Sequence, residues 1–495
     1  MSKKFILALD QGTTGSRAFI FDSQARVVVS AYKEFKQYYP KPGWVEHDAD
    51  EIWDSMQSVI KTVLRKAKIS KSDIVSIGIT NQRETTVLWD RVTSKPLHKA
   101  IVWQCRRTTD ICRKLKSKKS MFKKKTGLVL DPYFSGTKVK WLLDNVKGLR
   151  NKAKQGNVCF GTIDSWLIWK LTDGKSHVTD FTNASRTLMF NIKKLQWDDE
   201  LLKCLNVPLN ILPSVQKSGS NFGQTEVVAG LSAGIPITAV LGDQQAALYG
   251  QGCFNPGSVK NTYGTGCFIV LNTGKKCVAS KGGLLTTIAS DEKGNPVYAL
   301  EGSIFIAGAL MQWLRDELKL FKRAADSEAM IKGLKDTQGV YVVPAFTGLG
   351  CPYWDAEARG IISGLTRGTN VKHIVRAALE SMAYQTKDVI ELMKKETKQK
   401  ITELCVDGGA CENNFLMQFQ ADIINARINR PKVIDSTVLG VALLAGIQSK
   451  MWKNKKEITD LRKGNEIFKP KMSLKDRDEL YSGWLAAVGR AKSGR

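Results

Sequence analysis

The stretch LALDQGTTGSRAFIFD, residues 7–22, decides the fold of this chain. An apolar run ends in Asp10, turns through residues 12–15 and resumes at Arg17, which predicts two antiparallel strands joined by a small polar turn. Glycines allow the backbone to approach a ligand closely, while threonine hydroxyls and a guanidinium add donors that suit an anion. We interpret the stretch as a phosphate-binding hairpin, with Asp10 placed to hold a magnesium ion; a purely structural hairpin is the alternative.

A second hairpin of the same chemistry occurs in the second half of the chain. Residues 260–271, KNTYGTGCFIVL, form another strand–turn–strand pattern with GTG at 264–266. A predicted strand at residues 235–241 ends just before Asp243, as the first strand ends in Asp10. Two such units, each with an acid at a strand end, predict two related domains that face each other across phosphate groups.

Polar or aromatic side chains follow two other predicted strands. The apolar run of residues 74–80 leads to Arg83 and Glu84, and Trp103 follows another short strand. Ligands of open α/β sheets collect beyond the carboxyl ends of strands, so Arg83 and Glu84 are predicted to bind hydroxyl groups in a cleft. A surface ion pair is the alternative for these two residues, and a place in the core is the alternative for Trp103.

A glycine pair near the C-terminus indicates the adenosine side of a nucleotide site. Residues 404–415, LCVDGGACENNF, predict a strand, a Gly408-Gly409 turn and a helix with Asn413 in its first turn. Walker A and Rossmann motifs are disfavoured, because GKS at 174–176 lacks the required leading glycine and the chain has no GxGxxG.

Two further predictions concern helices. The spacing of apolar residues predicts a helix over residues 302–320. Farther back in the chain, Asp164 or Ser165 is predicted to cap a short apolar helix.

The composition is typical of a globular protein with two domains. A chain of 495 residues is too long for one ordinary core, and 43% of it is hydrophobic and 25% charged. The cysteines form no CxxC and the histidines lie far apart, so neither a disulfide frame nor a zinc site is predicted. The chain has neither an apolar window long enough to span a bilayer nor a signal-peptide core, which predicts a cytoplasmic protein without membrane insertion.

The formal net charge of +28 invites a nucleic-acid interpretation. Lysines cluster at residues 116–125, 393–400 and 453–456, but without interleaved aromatic residues or an RRM, KH or helix-turn-helix motif. We interpret these runs as solvated faces and predict no nucleic-acid partner. A basic surface would still attract a polyphosphate substrate.

These motifs together resemble a known family along nearly the whole chain. The two hairpins, the strand-end acids and VDGG before a helix resemble the phosphate and adenosine motifs of the actin, hexokinase and Hsp70-type ATPase fold. More closely, the chain resembles the FGGY carbohydrate kinases, and within them the members that phosphorylate glycerol. The stretches that carry the resemblance are ALDQGTTGSRAFIFD (8–22), PKPGWVEHD (40–48), GITNQRETT (78–86), IVWQCRRT (101–108), DPYFSGTKVKWLLDN (131–145), GDQQAALYGQ (242–251), NTYGTGCF (261–268), YVVPAFTGLGCPYWD (341–355) and VDGGACENNFLMQFQ (406–420).

The resemblance implies an α/β fold of two duplicated ribonuclease H-like (actin-like ATPase) domains, with mixed sheets flanked by helices and an active site in the interdomain cleft. It implies an N-terminal domain at residues 1–250, on the glycerol, phosphate and metal side, and a C-terminal domain at 251–495, on the adenine-nucleotide side. The implied reaction is phosphorylation of glycerol by ATP with Mg²⁺, in a homo-oligomer that is a dimer or tetramer. Another FGGY kinase acting on a polyol or pentulose is the alternative, followed by an Hsp70- or actin-like ATPase module without a small-molecule substrate.

Carried over to this sequence, the resemblance implies three sets of site residues. The catalytic residues would be Asp243 as general base, Asp10 on the magnesium ion, and Arg17. Glycerol would be held by Arg83, Glu84, Tyr133, Asp243 and Gln244, between the apolar walls Trp103 and Phe268. The nucleotide would contact Thr13, Thr14, Arg17, Thr265, Gly308, Gln312, Gly409 and Asn413.

Three places depart from the family pattern. Gly15 stands where a serine is common, which removes a hydroxyl near the phosphates. Residues 227–236 lack the glycine–arginine loop that resembles a fructose 1,6-bisphosphate site, and residues 469–480 do not resemble the surface segment that binds a phosphotransferase-system regulator. The resemblance therefore implies intact catalysis without these two forms of regulation.

Overall fold

The computed structural model describes residues 4–432, 435–461 and 464–494. The strands of these residues are β1 Phe5–Gln11, β2 Gly15–Phe21, β3 Val27–Glu34, β4 Gln37–Tyr38, β5 Glu46–His47, β6 Ile74–Asn81, β7 Val87–Asp90, β8 Ala100–Ile101, β9 Val158–Gly161, β10 Val178–Asp180, β11 Phe190–Asn191, β12 Gln196–Trp197, β13 Ser214–Gln216, β14 Ile237–Gly242, β15 Val259–Tyr263, β16 Cys267–Gly274, β17 Leu285–Ser290, β18 Pro296–Ile304, β19 Tyr341–Val343, β20 Ile361–Ser363, β21 Glu403–Asp407, β22 Arg427–Arg430 and β23 Glu466–Phe468.

The α-helices of the same residues are α1 Ala49–Ala67, α2 Thr109–Lys114, α3 Lys119–Thr126, α4 Ser135–Asn145, α5 Leu149–Lys154, α6 Ile163–Leu171, α7 Phe181–Ala184, α8 Asp199–Leu205, α9 Asp243–Gly250, α10 Gly308–Asp316, α11 Asp326–Ile331, α12 Val371–Thr397, α13 Asn414–Ile424, α14 Ser436–Gln448, α15 Lys455–Asp460 and α16 Leu474–Ala491. Short 3₁₀ helices lie at Lys71–Asp73, Lys116–Lys118, Leu209–Ile211 and Gly409–Glu412. Within the described ranges, no helix is long and apolar enough to cross a membrane.

The first sheet has the strand order β14-β6-β1-β2-β3. β1 and β2 form the predicted hairpin, in which Asp10 lies opposite Arg17, and β1, β6 and β14 run parallel. Parallel strands end at the same edge of a sheet, so Asp10, Arg83 and Asp243 are brought to one edge. Asp243 therefore follows a strand of the same sheet as Asp10, and the idea that it supplies the strand-end acid of the second hairpin is wrong. The acid at the matching strand end of the second sheet is Asp407, which closes β21.

The second sheet repeats the order and directions of the first. Its core strands β18-β16-β15-β21-β22 correspond to β3-β2-β1-β6-β14, and β17 and β23 extend it at the two edges. In each sheet the first two pairings of this order are antiparallel and the last two are parallel. This repetition confirms the prediction of two duplicated α/β domains.

A helix from the second half covers one face of the first sheet. Apolar residues of α14 pack in one cluster with side chains from β1 and β2; the buried members include Ile6, Ala8, Phe19, Phe21, Val438, Val441 and Leu444. The contact between α9 and α14 is close because both carry glycines there. A Cβ at Gly250 would overlap the carbonyl of Ser436, and a Cβ at Gly440 would overlap that of Ala246. The two helices that follow the equivalent strands β14 and β22 thus pack directly on each other.

Two helix predictions are corrected by the structure. The predicted helix over residues 302–320 begins only at Gly308, because residues 302–304 still belong to strand β18 and pair with β16. Neither Asp164 nor Ser165 caps α6: the residue at its N-terminal cap is Thr162. Asp164 instead lies buried in the first turn, where its carboxylate accepts hydrogen bonds from the hydroxyls of Thr162 and Thr179.

The buried Asp164 should make the stability of the protein depend on pH. Burial, with a contribution from the neighbouring charge of Asp180, raises its pKa from 3.8 to about 7. Between these values the folded chain binds a proton that the unfolded chain does not, so the free energy of unfolding falls as the pH rises through this window. Asp164→Asn is neutral throughout and should flatten that fall, as measured by urea unfolding at about pH 5 and about pH 7.5. Asp316→Asn, at an exposed position in α10, should leave it unchanged. The same fall in Asp164→Asn would contradict the assignment.

Candidate active site

Five ionisable side chains form a continuous chain at the edge where β6 and β14 end. Arg83 Nε lies 3.0 Å from Asp243 Oδ1, and Arg83 Nη1 donates to Glu301 Oε2 at 2.6 Å. Arg186 donates from Nη2 to Glu301 Oε1 at 3.0 Å and from Nε to Glu84 Oε1 at 2.6 Å. We call this arrangement, Asp243–Arg83–Glu301–Arg186–Glu84, the ion-pair chain. It joins the first sheet to β18 of the second.

Burial and pairing give the members of the ion-pair chain different electrostatic characters. Burial raises the pKa of Glu84 despite the nearby guanidinium of Arg186. Burial acts in the same direction on Glu301, but Arg186 and Arg83 outweigh it and hold the pKa at about 2. Three carboxylates face two guanidinium groups, so the fully ionised chain carries one net negative charge. The side chain of Asp243 is 31% exposed, whereas the other four side chains of the ion-pair chain are at most 2% exposed. A ligand can therefore reach the ion-pair chain most easily at Asp243.

Asp243 is fixed at the beginning of α9. Its Oδ1 accepts a hydrogen bond from the backbone N–H of Gln244 at 2.7 Å, and a helix N-terminus favours a carboxylate. Gly242 precedes it, and a Cβ there would lie 2.8 Å from both Cγ and Cδ of Arg83. The glycine thus allows the Arg83 side chain to pass beside the turn and reach Asp243.

The next residue, Gln244, is oriented by a buried lysine from the second sheet. Lys260 Nζ donates to Gln244 Oε1 at 2.5 Å and to Thr262 Oγ1 at 2.7 Å. Burial lowers the pKa of Lys260 to about 8, although the nearby carboxylates of Asp407 and Asp243 act against this. Because Lys260 takes the amide oxygen, the amide nitrogen of Gln244 is the group left to donate to a ligand.

Two aromatic side chains connect the first hairpin with the ion-pair chain. The indole N–H of Trp103 donates to Thr13 Oγ1 at 2.9 Å, and its ring meets that of Tyr133 edge-on with centroids 5.6 Å apart. The guanidinium carbon of Arg186 lies 5.6 Å from the centroid of the Tyr133 ring. The structure therefore brings Trp103 and Tyr133 to the same place as Arg83 and Glu84. Phe268 lies half-buried on β16 and pairs with Ser303 of β18. Ser303 follows Glu301 by two residues.

The first hairpin exposes its threonines and holds its arginine in ion pairs. Thr14 is exposed and Thr13 half-buried, and the turn is closed by a hydrogen bond from the Gly12 N–H to the Gly15 carbonyl at 2.9 Å. A Cβ at Gly15 would lie 2.8 Å from the Lys33 carbonyl oxygen and would overlap the ring of Tyr32. The glycine that departs from the family pattern thus makes room for the neighbouring strand β3.

Arg17 links the end of β1 to the beginning of α14. Its Nε donates to Asp10 Oδ2 at 2.9 Å, and its Nη1 donates to Asp435 Oδ1 at 2.8 Å. Burial raises the pKa of Asp10, which Arg17 counteracts. The nearby charges of Asp243 and Asp435 raise this pKa further, so a cation would be stabilised beside Asp10.

The donor set at Asp10 fits a magnesium ion that shares its ligands with a phosphate. Within the described part of the chain, no group of three or more acidic, histidine or cysteine side chains is placed to enclose a metal. Magnesium typically binds one or two carboxylates and completes its shell with waters and substrate phosphate oxygens. Asp10, with Asp243 in electrostatic range, provides such a site.

The second hairpin packs on the beginning of α10. The backbone N–H of Gly308 donates to the Gly264 carbonyl at 3.0 Å, where a Cβ on residue 308 would approach that oxygen to 2.5 Å. Thr265 and Gln312 are both exposed, and Gln312 follows Gly308 by one helical turn. The structure thus brings these three predicted nucleotide contacts together.

The remaining two predicted nucleotide contacts lie between β21 and α13. Gly409 is exposed, and a Cβ on it would meet no atom within 4 Å. Asn413 precedes α13 as its N-terminal cap and is not in the first turn as predicted: its Oδ1 accepts from the Leu416 N–H at 2.8 Å. Only its amide nitrogen is therefore left as a side-chain donor.

Sequence reasoning missed four residues of this region: Arg186, Lys260, Glu301 and Asp435. Glu301 and Lys260 are charged residues inside apolar strands, and that is a usable signal, because a buried charge needs a partner. Arg186 and Asp435 lie in segments without a comparable pattern. Their partners are 102 and 418 residues away in sequence.

Models of known protein families match both halves of the chain. The FGGY family of carbohydrate kinases, N-terminal domain, matches residues 5–250, and its C-terminal domain matches residues 259–449. A glycerol kinase from Desulforamulus reducens is 57% identical over 493 residues, which are 99% of this chain and 98% of that protein.

Solved structures show the same relationship. The Plasmodium falciparum glycerol kinase with ADP has a TM-score of 0.93 at 38% identity, covering 100% of this chain and 99% of that one. A ligand-bound xylulose kinase from Lactobacillus acidophilus shares the fold, with a TM-score of 0.88 at 22% identity over 98% of each chain. The chain belongs to the FGGY family of carbohydrate kinases.

Proposed function

We propose that this enzyme transfers the γ-phosphoryl group of ATP to glycerol and forms sn-glycerol 3-phosphate. The observation that carries the proposal is the placement of Arg83 and Glu84, which can donate to and accept from hydroxyl groups, beside the partly exposed Asp243. The name of the relative that is 57% identical supports glycerol as the substrate.

Asp243 acts in this proposal as the general base. A primary alcohol is a poor nucleophile, and Asp243 accepts its proton as the oxygen attacks the γ-phosphorus in line. Arg83, Glu84, Tyr133 and the amide nitrogen of Gln244 orient the three hydroxyls, and Trp103 and Phe268 close the apolar sides. Water exclusion by these walls prevents transfer of the phosphoryl group to water.

The two hairpins act on the phosphates. Thr13, Thr14, Arg17 and Thr265 donate to phosphate oxygens, while the residues assigned to the adenosine side are Gly308, Gln312, Gly409 and Asn413. Magnesium held at Asp10 would neutralise charge on the phosphate oxygens. Hydrogen-bond donors that are fixed before the reaction stabilise the transition state more than donors that must first reorganise. The rigid strand ends and helix starts on which these residues lie fix their donors in this way.

A substrate panel tests the proposal. ATP consumption would be measured over glycerol, dihydroxyacetone, xylulose, ribulose and gluconate, with glycerol expected to give the highest kcat/KM. A pentulose as the best substrate would favour the alternative of another FGGY kinase, which the shared fold with a xylulose kinase allows. ATP turnover without any polyol would favour an Hsp70- or actin-like ATPase.

Three expectations accompany this function. We propose a domain boundary at residues 250 and 251, a cytoplasmic location, and a homo-oligomer that is a dimer or tetramer. The family resemblance supports all three. Light scattering during size-exclusion chromatography would measure the oligomeric state; a monomer would overturn that part.

A further inference from the structure

The ion-pair chain has an order that a simple stabilising cluster does not need. Its two outer carboxylates, Asp243 and Glu84, are the ones assigned to the substrate. Asp243 lies 3.0 Å from Arg83 Nε, whereas Glu84 accepts from Arg186 at 2.6 Å and lies 4.0 Å from Arg83 Nε. Both arginines are held in turn by the same carboxylate, Glu301. Glu301 therefore orients both of the arginines that lie between the general base and the acceptor of the polyol hydroxyls.

We infer that Glu301 is a positioning residue, which fixes the spacing between Asp243 and Glu84 through Arg83 and Arg186. This inference rests on the proposed function, in which those two carboxylates face glycerol. Glu301 itself is fully buried and acts only through the arginines.

Stability alone is a weak explanation for this arrangement. A buried ion pair often contributes little to folding, because the cost of removing the charges from water offsets their attraction, and apolar residues of similar volume can do as well. A side chain with two oxygens that accept from two separate guanidinium groups does something an apolar residue cannot do: it fixes both arginines relative to each other. Misplacement of reacting groups by about 1 Å can cost about 100-fold in rate.

The place of Glu301 in the fold extends its influence to the second sheet. It lies on β18 opposite Val270 of β16, and two residues farther along the same ladder Ser303 lies opposite Phe268, a predicted wall of the pocket. Arg83 and Arg186 belong to the first half of the chain. The glycerol pocket thus has its correct dimensions only when β18 is seated against the first sheet.

The test compares three charge and length variants with a matched control. Glu301→Gln should lower kcat about 100-fold and raise the KM for glycerol about 10-fold, while the KM for ATP stays within about twofold. Glu301→Asp keeps the charge but is one methylene shorter, so it should regain most thermal stability without regaining kcat. Arg186→Lys keeps the charge but presents a single ammonium, so it should raise the KM for glycerol.

The matched control is Glu380→Gln. Glu380 is also a buried glutamate of the second half, and its Oε1 accepts from Arg376 Nε at 2.8 Å, but it belongs to α12 and has no part in the ion-pair chain. Glu380→Gln should lose stability as Glu301→Gln does while keeping kcat and both KM values. This difference separates positioning from a general loss of stability.

The inference is overturned if Glu301→Asp and Arg186→Lys both keep kcat and the KM for glycerol within about twofold of the wild type. It is also overturned if kcat falls in all variants, the control included, in proportion to their stability. If Glu301→Gln does not fold, Glu301→Asp and Arg186→Lys decide. If the wild type uses another polyol best, the proposed function fails, and the same comparison is made with that polyol.

Discussion

Replacing Asp243 by asparagine should lower kcat by about two to four orders of magnitude, because the amide cannot accept the proton of the attacking hydroxyl. The amide oxygen can still accept from Arg83 Nε, which lies 3.0 Å from Asp243 Oδ1 in the wild type. Glycerol binding should therefore survive. Steady-state kinetics with saturating ATP measures the first effect, and the thermal shift caused by glycerol measures the second.

A suitable control is Asp326→Asn. Asp326 also lies in the first turn of a helix and also pairs with an arginine, Arg323, at 2.8 Å, but it belongs to α11 on the surface of the second half. It should keep full activity. Near wild-type turnover in Asp243→Asn would remove Asp243 from the mechanism, and loss of the thermal shift would assign it to binding.

Replacing Arg17 by methionine should lower kcat by about 100- to 1,000-fold, the usual loss when a fixed donor to a developing negative charge is removed. The substitution also leaves the buried Asp10 without the guanidinium that now holds it. Kinetics over a range of ATP and Mg²⁺ concentrations would measure both consequences, because a loosened Asp10 should also raise the Mg²⁺ concentration required for half-maximal rate.

Asp435→Asn provides the contrast for Arg17. In the structure Asp435 accepts from Arg17 Nη1 at 2.8 Å, so a phosphate that binds this nitrogen must replace it. Removing the charge of Asp435 should leave kcat unchanged and lower the KM for ATP. A kcat loss in Asp435→Asn as large as in Arg17→Met would contradict a phosphate role for Arg17 and indicate that the pair acts only by joining the two halves.

The parts of the fold that depend on local sequence could be predicted. The two glycine–threonine hairpins and the strand before Asp243 each lie within about a dozen consecutive residues or a few more, so hydrophobic periodicity and turn residues identify them. The start of α10 could not be found in this way. Residues 302–304 carry no strong signal of their own, and they are strand because they continue β18 and pair with residues 267–269 of β16.

Site residues that follow strands could be predicted from the sequence. Site residues that hold other side chains in place across a large sequence separation were missed. Arg83 and Glu84 come directly after β6, so the rule for strand ends applied to them. Arg186 and Glu301 act through partners that are more than 100 residues away, and only the folded chain shows that both arginines share one carboxylate. A single sequence gives no measure of such distances.

The position of α14 has a consequence for how the chain is made. The first sheet is complete once residue 242 has been synthesised, yet most of the side chains that pack with Ile6 and Phe19 from outside the sheet belong to residues 436–448. At about 5–20 residues per second, a ribosome needs about 10–40 seconds to add that segment. During this time the N-terminal half has an apolar face open to other chains in the cell. We therefore expect the nascent chain to need protection from aggregation until its last helices emerge, and the two halves to become stable together.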